Sequence, residues 1–85
     1  MKIKYSLHIL QDKLPLLQKQ GFKLTLKQVK EVIKDPDHID KESDTPKVIV
    51  SKEYDERRIL RVVYKTEDDI IKAITIYLAE KGRYY

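Results

Sequence analysis

The part of the sequence that most constrains the fold is its C-terminal third, residues 57–85. Two runs there, residues 58–65 and 70–78, are rich in isoleucine, valine and tyrosine, which favour β-strands. The polar residues 66–69 lie between the runs and are typical of a turn. This stretch therefore predicts a β-hairpin.

Side chains alternate between the two faces of a strand, so each run of the hairpin presents two different surfaces. One face is apolar and is predicted to be core: it carries Leu60 and Val62 on the first run and Ile74, Ile76 and Leu78 on the second. The other face is partly polar: it carries Arg61 and Lys65, then Ala73, Thr75 and Tyr77. We expect any chemistry to lie on that second face.

Two helices are predicted before the hairpin. Ser6 is a candidate N-cap for the first, whose apolar stripe is Leu7, Leu10, Leu14 and Leu17. Pro15 lies inside this helix, removes a backbone donor and predicts a kink or break near Leu14. The second helix begins with the capping-box pattern of residues 25–28 and ends before Pro36.

The order of these elements predicts one α+β domain over residues 1–85. Residues 48–50 add a strand before the hairpin, residues 2–5 form either a short edge strand or an entry segment, and the acidic residues 35–45 are loop or a short strand near Ile39. We expect two N-terminal helices packed on one face of a three- to four-stranded antiparallel sheet, with the other face open.

Composition narrows the function classes. The chain has no cysteine, only two glycines and no long apolar run at its start. We therefore expect no metal site, no cofactor and no membrane span, and a cytoplasmic protein.

Residues 1–34 hold eight lysines and two acids, whereas residues 35–56 hold three lysines and eight acids. Basic surface favours RNA, DNA or an acidic protein as partner.

The candidate site residues are those suited to RNA. The candidate catalytic residues are His8 as acid or base, Arg61 as a phosphate ligand and Tyr77 as a stacking group or proton donor. The candidate RNA-binding residues are Lys13, Arg57, Arg58, Lys65, Thr75, Lys81, Arg83 and Tyr84. A further lysine stripe (Lys23, Lys27, Lys30 and Lys34) follows the second helix. Each of these patterns is also typical of an ordinary solvated surface.

Several short motifs resemble a small family of prokaryotic proteins related to the RelE and BrnT toxins. They are Tyr5-Ser6-x-His8, Gly21-Phe22, the V-I-K-D-P of residues 32–36, the R-V-V-Y of residues 61–64, the I-T-I-Y of residues 74–77 and the basic-aromatic tail. The resemblance implies an RNA-binding, metal-independent endoribonuclease fold acting on free or ribosome-associated RNA, with an antitoxin as protein partner. Lys13 and Gln20 stand where members of that family usually carry arginine.

Two functions from different classes remain open. The first is a RelE/BrnT-like protein that binds RNA and cleaves it without metal. The second is a non-catalytic protein-interaction or homodimerisation module on the same fold. DNA binding is a weaker third, since no helix-turn-helix pattern is evident.

Overall fold

The computed structural model describes residues 2–82. A short strand β1 (Lys2–Tyr5) leads into a π-helical segment (His8–Lys13), which continues directly as α1 (Leu14–Lys19). Helix α2 (Leu26–Lys34) follows. The remaining strands are β2 (His38–Asp40), β3 (Val48–Glu53), β4 (Arg58–Glu67) and β5 (Ile70–Glu80). Within residues 2–82, no helix has the length and apolar character needed to span a bilayer.

The α+β class is confirmed, but the predicted antiparallel sheet of three or four strands is wrong. All five strands join one mixed sheet in the order β1-β5-β4-β3-β2, and β1 runs parallel to β5. The number and direction of the strands were predicted wrongly for a physical reason. Because β1 and β2 are short and polar, neither buries enough apolar surface for the local sequence to identify it as a strand. Their partners decide that they are strands, and β1 pairs with Ile70–Ala73 at the far end of the chain.

Both helical segments cover the same face of the sheet, which we call the helix side. A continuous cluster of buried apolar side chains fills that interface: Ile9, Leu17, Leu24, Val29, Val32, Ile33, Val50, Leu60, Val62, Ile71, Ala73 and Ile76. Burial of apolar surface of this kind is the dominant favourable term in folding. The predicted start of α2 is confirmed: Thr25 and Gln28 form a reciprocal capping box.

The first helical segment changes its geometry where the proline predicts it. Pro15 lies in the first turn of α1, and the preceding residues form the π-helical segment, in which the Leu14 N–H bonds to the Ile9 carbonyl. Of the predicted leucine stripe, Leu14 and Leu17 pack in or against the core, whereas the wider turn leaves Leu7 and Leu10 facing away from it. Ile9 and Leu17 are buried, whereas Leu7, Leu10 and Leu16 are exposed by 66%, 40% and 47%.

The predicted hairpin is confirmed, with longer strands and a tighter turn. Asp68 and Asp69 form the turn with φ angles of 51° and 64°, the left-handed conformation of a two-residue hairpin turn. A β-bulge interrupts the pairing, because Val63 lies opposite Thr75 whereas Tyr64 lies opposite Ala73. The bulge moves Ala73 from the predicted open face into the core on the helix side.

Ser6 links the bulge to the first helical segment. Its Oγ accepts a hydrogen bond from the Ile9 N–H at 3.1 Å, as an N-cap does, and donates one to the Ile74 carbonyl at 2.7 Å. Ile74 is the extra residue of the bulge, so its carbonyl is outside the regular pairing with β4. The Ser6 hydroxyl therefore bonds both a backbone N–H at the start of the helical segment and the carbonyl at the β-bulge.

Replacing Ser6 with alanine tests this double role. Ser6→Ala removes the cap and leaves the Ile74 carbonyl without its partner, so we expect the free energy of unfolding to fall by about 2 kcal/mol. Urea denaturation followed by circular dichroism measures it. Gln11→Ala, an exposed change on the same segment, is the control and should cost less than about 0.5 kcal/mol. Equal losses from the two variants would contradict the linking role.

Candidate functional site

The face of the sheet opposite the helices, which we call the helix-free face, carries most of the polar side chains of the strands. The strand register places there Lys2 and Lys4 of β1, Lys72, Thr75 and Tyr77 of β5, Arg61, Lys65 and Glu67 of β4, Ser51 of β3, and His38 and Asp40 of β2. Four of the predicted site residues, Arg61, Lys65, Thr75 and Tyr77, therefore share one surface.

The middle of the helix-free face is closed rather than open. Arg61 lies directly opposite Tyr77, with its guanidinium carbon 5.5 Å from the centre of the tyrosine ring. Arg61 is only 5% exposed, and Ser51 and Ile59 on the same face are fully buried. A phosphate therefore reaches the Arg61 guanidinium only after the side chains around it rearrange. Arg61 and Tyr77 share this face, as predicted, but Arg61 is buried and Tyr77 is only partly exposed.

Asp40 adds a negative charge to this face. Hydrogen bonds from Ser43 and the Glu42 backbone, with a smaller contribution from the positive charge on Arg61, lower the pKa of Asp40 to about 2. Asp40 is therefore ionised at any physiological pH, and it offsets part of the charge that Arg61 brings to this end of the sheet.

His8 lies away from Arg61 and Tyr77. It is exposed on the π-helical segment, on the helix side of the sheet, and its Nδ1 is 3.6 Å from the Asp12 carboxylate. Lys13 lies on the same segment. The sheet separates His8 from the Arg61–Tyr77 pair, so the three candidate catalytic residues do not assemble into one site in this structure.

The predicted cations Arg57, Arg58 and Lys81 meet at a corner where the β3–β4 turn approaches the end of β5. They line a depression of about 440 Å³ together with Glu56 and Glu80. Arg58 also forms an ion pair with Asp55 at 3.3 Å and lies over the Phe22 ring, while Lys81 pairs with Glu53. Acids therefore outnumber cations at this corner, among the residues that the structure describes. Arg83 and Tyr84 lie outside the described residues.

The basic part of the helix-free face is at its other end, in a row of lysines that crosses three adjacent strands. Lys4 of β1 lies opposite Lys72 of β5, and Lys72 lies opposite Lys65 of β4. We call these three residues the lysine row. Like charges on directly opposite positions of neighbouring strands repel one another and are destabilising. The row is therefore an arrangement that an anion would stabilise.

One carboxylate already lies among these lysines. Glu67 accepts from Lys65 at 2.8 Å and from Lys72 at 2.6 Å, one ammonium on each carboxylate oxygen. The hydrogen bonds and charges of Lys65 and Lys72 lower the pKa of Glu67 to about 2. Glu67 neutralises one of the three lysines, so the row keeps a net positive charge.

A shallow depression of about 260 Å³ lies beside the row. It is lined by Lys4, Lys65 and Lys72 and by Tyr5, Ser6, Ala73 and Ile74, and its lining is largely apolar. Burial raises the pKa of the Tyr5 hydroxyl, which keeps that side chain neutral. A largely apolar depression beside the lysine row suits an anion that carries an apolar or aromatic group.

Of the three residues of the lysine row, Lys65 was predicted from the sequence as a site residue, whereas Lys4 and Lys72 were not. The alternating Lys-Ile-Lys-Tyr of residues 2–5 was a usable signal, because it predicts a strand with both lysines on one face. The pattern did not show that this strand pairs with β5. The row exists only because β1 pairs with β5, across nearly the full length of the chain.

Comparison with known proteins adds no family assignment. No protein family, curated protein or solved structure matches the chain. In the range 2–82, no group of three or more histidine, aspartate or glutamate side chains is placed to hold a metal ion. The assignment of a function therefore depends on the geometry of the helix-free face.

The pKa of Glu67 tests the geometry of the lysine row. Because the folded-state pKa of about 2 is below the ordinary 4.5, the carboxylate should titrate near pH 2 in an NMR experiment on the side-chain carbonyl carbon. Its stabilising effect is present above the ordinary pKa and is lost as the pH falls toward 2. Lys65→Ala should raise this pKa, whereas Lys30→Ala on α2 should leave it unchanged. A Glu67 pKa near 4.5 in the unmodified protein would show that the ion pairs do not form.

Proposed function

We propose that this protein binds RNA on its helix-free face, with the phosphate backbone held at the lysine row. The observation that supports the proposal is the row itself: Lys4, Lys65 and Lys72 lie side by side on three strands, and within residues 2–82 Glu67 is the only acid bonded to them. Lysine–phosphate contacts supply most of the sequence-independent affinity of proteins for nucleic acids. The surplus positive charge is at the end of the face where side chains remain accessible.

The shape of the surface favours a single strand over a duplex. A major groove admits a helix or a two-stranded ribbon, whereas single-stranded RNA is typically held along a sheet with its bases stacked on aromatic side chains. Thr75 and the partly exposed Tyr77 lie on the same face, in the direction that a strand leaving the row would follow. The resemblance to RelE- and BrnT-related proteins agrees with this function, and membership of that family is part of the proposal.

The proposal is for binding and not for cleavage by the predicted residues. General acid–base catalysis requires the donor or acceptor within hydrogen-bonding distance of the reacting oxygen. His8 is on the other side of the sheet from Arg61 and Tyr77, so these three residues cannot act on one phosphate in this arrangement. An antitoxin of the kind that the family resemblance implies would compete with RNA for the helix-free face.

Charge removal in the lysine row tests the proposed surface. Lys72→Gln is expected to weaken binding of a single-stranded RNA about three- to tenfold at low salt, as loss of one charged phosphate contact does. The plot of log affinity against log salt for the unmodified protein should have a slope of about −2, and Lys72→Gln should make it shallower by about 0.7. Fluorescence anisotropy with a labelled oligonucleotide measures both quantities.

Lys30→Gln is the matched control, because it removes the same charge from exposed helix α2 on the helix side. It should leave the affinity and the salt slope almost unchanged. Equal weakening by Lys30→Gln and Lys72→Gln would mean that RNA responds only to the net charge. No binding at low salt would overturn the proposal.

A specific observation favours the second candidate function, self-association. Leu7, Leu10 and Leu16 expose apolar side chains on the first helical segment. Exposed apolar groups of this kind are often covered by a second protein chain. In this alternative two copies pack these segments together, and RNA is not the partner.

Sedimentation equilibrium distinguishes self-association from a monomer. If the leucines form a dimer interface, Leu16→Lys should raise the dissociation constant at least about tenfold, since a buried charge is costly. Ile39→Lys is the control because Ile39 is 48% exposed on edge strand β2, away from the leucines. A monomeric unmodified protein at high concentration would exclude this alternative.

A further inference from the structure

We propose that the depression beside the lysine row takes a phosphate monoester, the terminal phosphate of an RNA strand, in preference to an internal phosphodiester. The inference rests on the proposed RNA binding and specifies which part of the strand the row recognises. Its basis is the number of cations, the charge balance and the apolar floor of one depression.

Two of the three lysines of the row converge on one oxyanion. Lys65 and Lys72 come from different strands, yet both ammonium groups contact the single carboxylate of Glu67, at 2.8 and 2.6 Å. Lys4 lies on the same face, one strand beyond Lys72, and neighbouring strands are about 4.8 Å apart. Glu67 thus shows that two of the three ammonium groups already meet at one anionic group.

The charge of the depression matches a dianion. Three ammonium groups and the Glu67 carboxylate leave a net charge of about +2, since the Glu67 pKa of about 2 keeps its carboxylate ionised at neutral pH. A phosphate monoester carries about −1.5 to −2 at pH 7 and offers three terminal oxygens as acceptors. An internal diester carries a single charge and leaves part of the lysine charge unbalanced.

The floor of the depression explains how the rest of a nucleotide is accommodated. Ile74 and Ser6 line it, and Tyr5 and Ala73, whose side chains pack in the core on the helix side, border it. Its volume of about 260 Å³ suits a small group rather than a length of strand. With the terminal phosphate at the lysine row, the adjoining nucleoside lies against Ile74 in this depression, as apolar surfaces accept bases elsewhere. The remaining strand then continues across the face toward Thr75.

Three labelled oligonucleotides of identical sequence test the inference. One carries a 5′-phosphate, one a 3′-phosphate, and one has hydroxyls at both ends, so that the internal phosphates are the same in all three. At pH 7.5 we expect one phosphorylated strand to bind about tenfold more tightly than the unphosphorylated strand, the gain that a few charge-assisted hydrogen bonds provide. The strand that gains identifies which end is bound.

The pH dependence of this preference distinguishes recognition of the phosphate dianion from a non-specific effect of one additional negative charge. The second ionisation of the phosphate has a pKa of about 6, so the preference should decrease on going from pH 7.5 to pH 5. The groups that face the depression are Lys4 from β1, Lys72 from β5 and Lys65 and Glu67 from β4, together with the neutral Tyr5.

Variants locate the preference in the row. Lys72→Gln and, on the exposed edge strand, Lys4→Gln should reduce the preference to less than about threefold, whereas Lys30→Gln should preserve it. Circular dichroism establishes that each variant is folded, and Lys4→Gln is the variant least coupled to the core.

The outcomes are distinct. Equal binding of all three strands, with a steep salt dependence, overturns the terminal-phosphate inference and leaves RNA binding intact. Binding of none of them overturns both. A preference that survives Lys72→Gln and Lys4→Gln overturns the assignment to this depression.

Discussion

The pairing of β4 with β5 is the constraint on which the rest of the structure depends. These are the two longest strands, and they occupy the interior of the sheet, so each of them also supports another strand: β5 pairs with β1 and β4 with β3. Their helix-side residues, including Leu60, Val62 and Ile76, are the floor on which both helical segments pack. A change of register by one residue would move this apolar set to the opposite face, so the hairpin register fixes the core and the polar face together.

The β-bulge in this hairpin couples the sheet to the start of the chain. It shifts the alternation at Ile74, so that Ala73 and Ile76 both face the helix side. Its displaced carbonyl is bonded by the Ser6 hydroxyl, which also starts the first helical segment. Because β1 ends just before Ser6, this local irregularity helps determine where the edge strand stops and where the helix begins.

The helix-free face has two different electrostatic ends. Toward the β3–β4 corner, cations are matched or outnumbered by acids, and Arg61 is buried beside Tyr77. At the β1 end, Lys65 and Lys72 share the Glu67 carboxylate, and Lys4 lies beside Lys72 on the exposed edge strand. Exposed ion pairs of this kind contribute little to stability, and adjacent lysines oppose it. The lysine row therefore contributes little to the stability of the fold.

Local sequence patterns by themselves determined the β-hairpin and the start and end of α2. They also determined the change of helix geometry at Pro15. Each of these features depends on residues that are neighbours along the chain. They also placed Arg61 and Tyr77 on one face. Only the tertiary structure decided the parallel addition of β1, the bulge at Ile74, the burial of Arg61 and the separation of His8 from it. The lysine row belongs to this second group: Lys4 and Lys72 become neighbours only through a long-range strand pairing, which no local periodicity encodes.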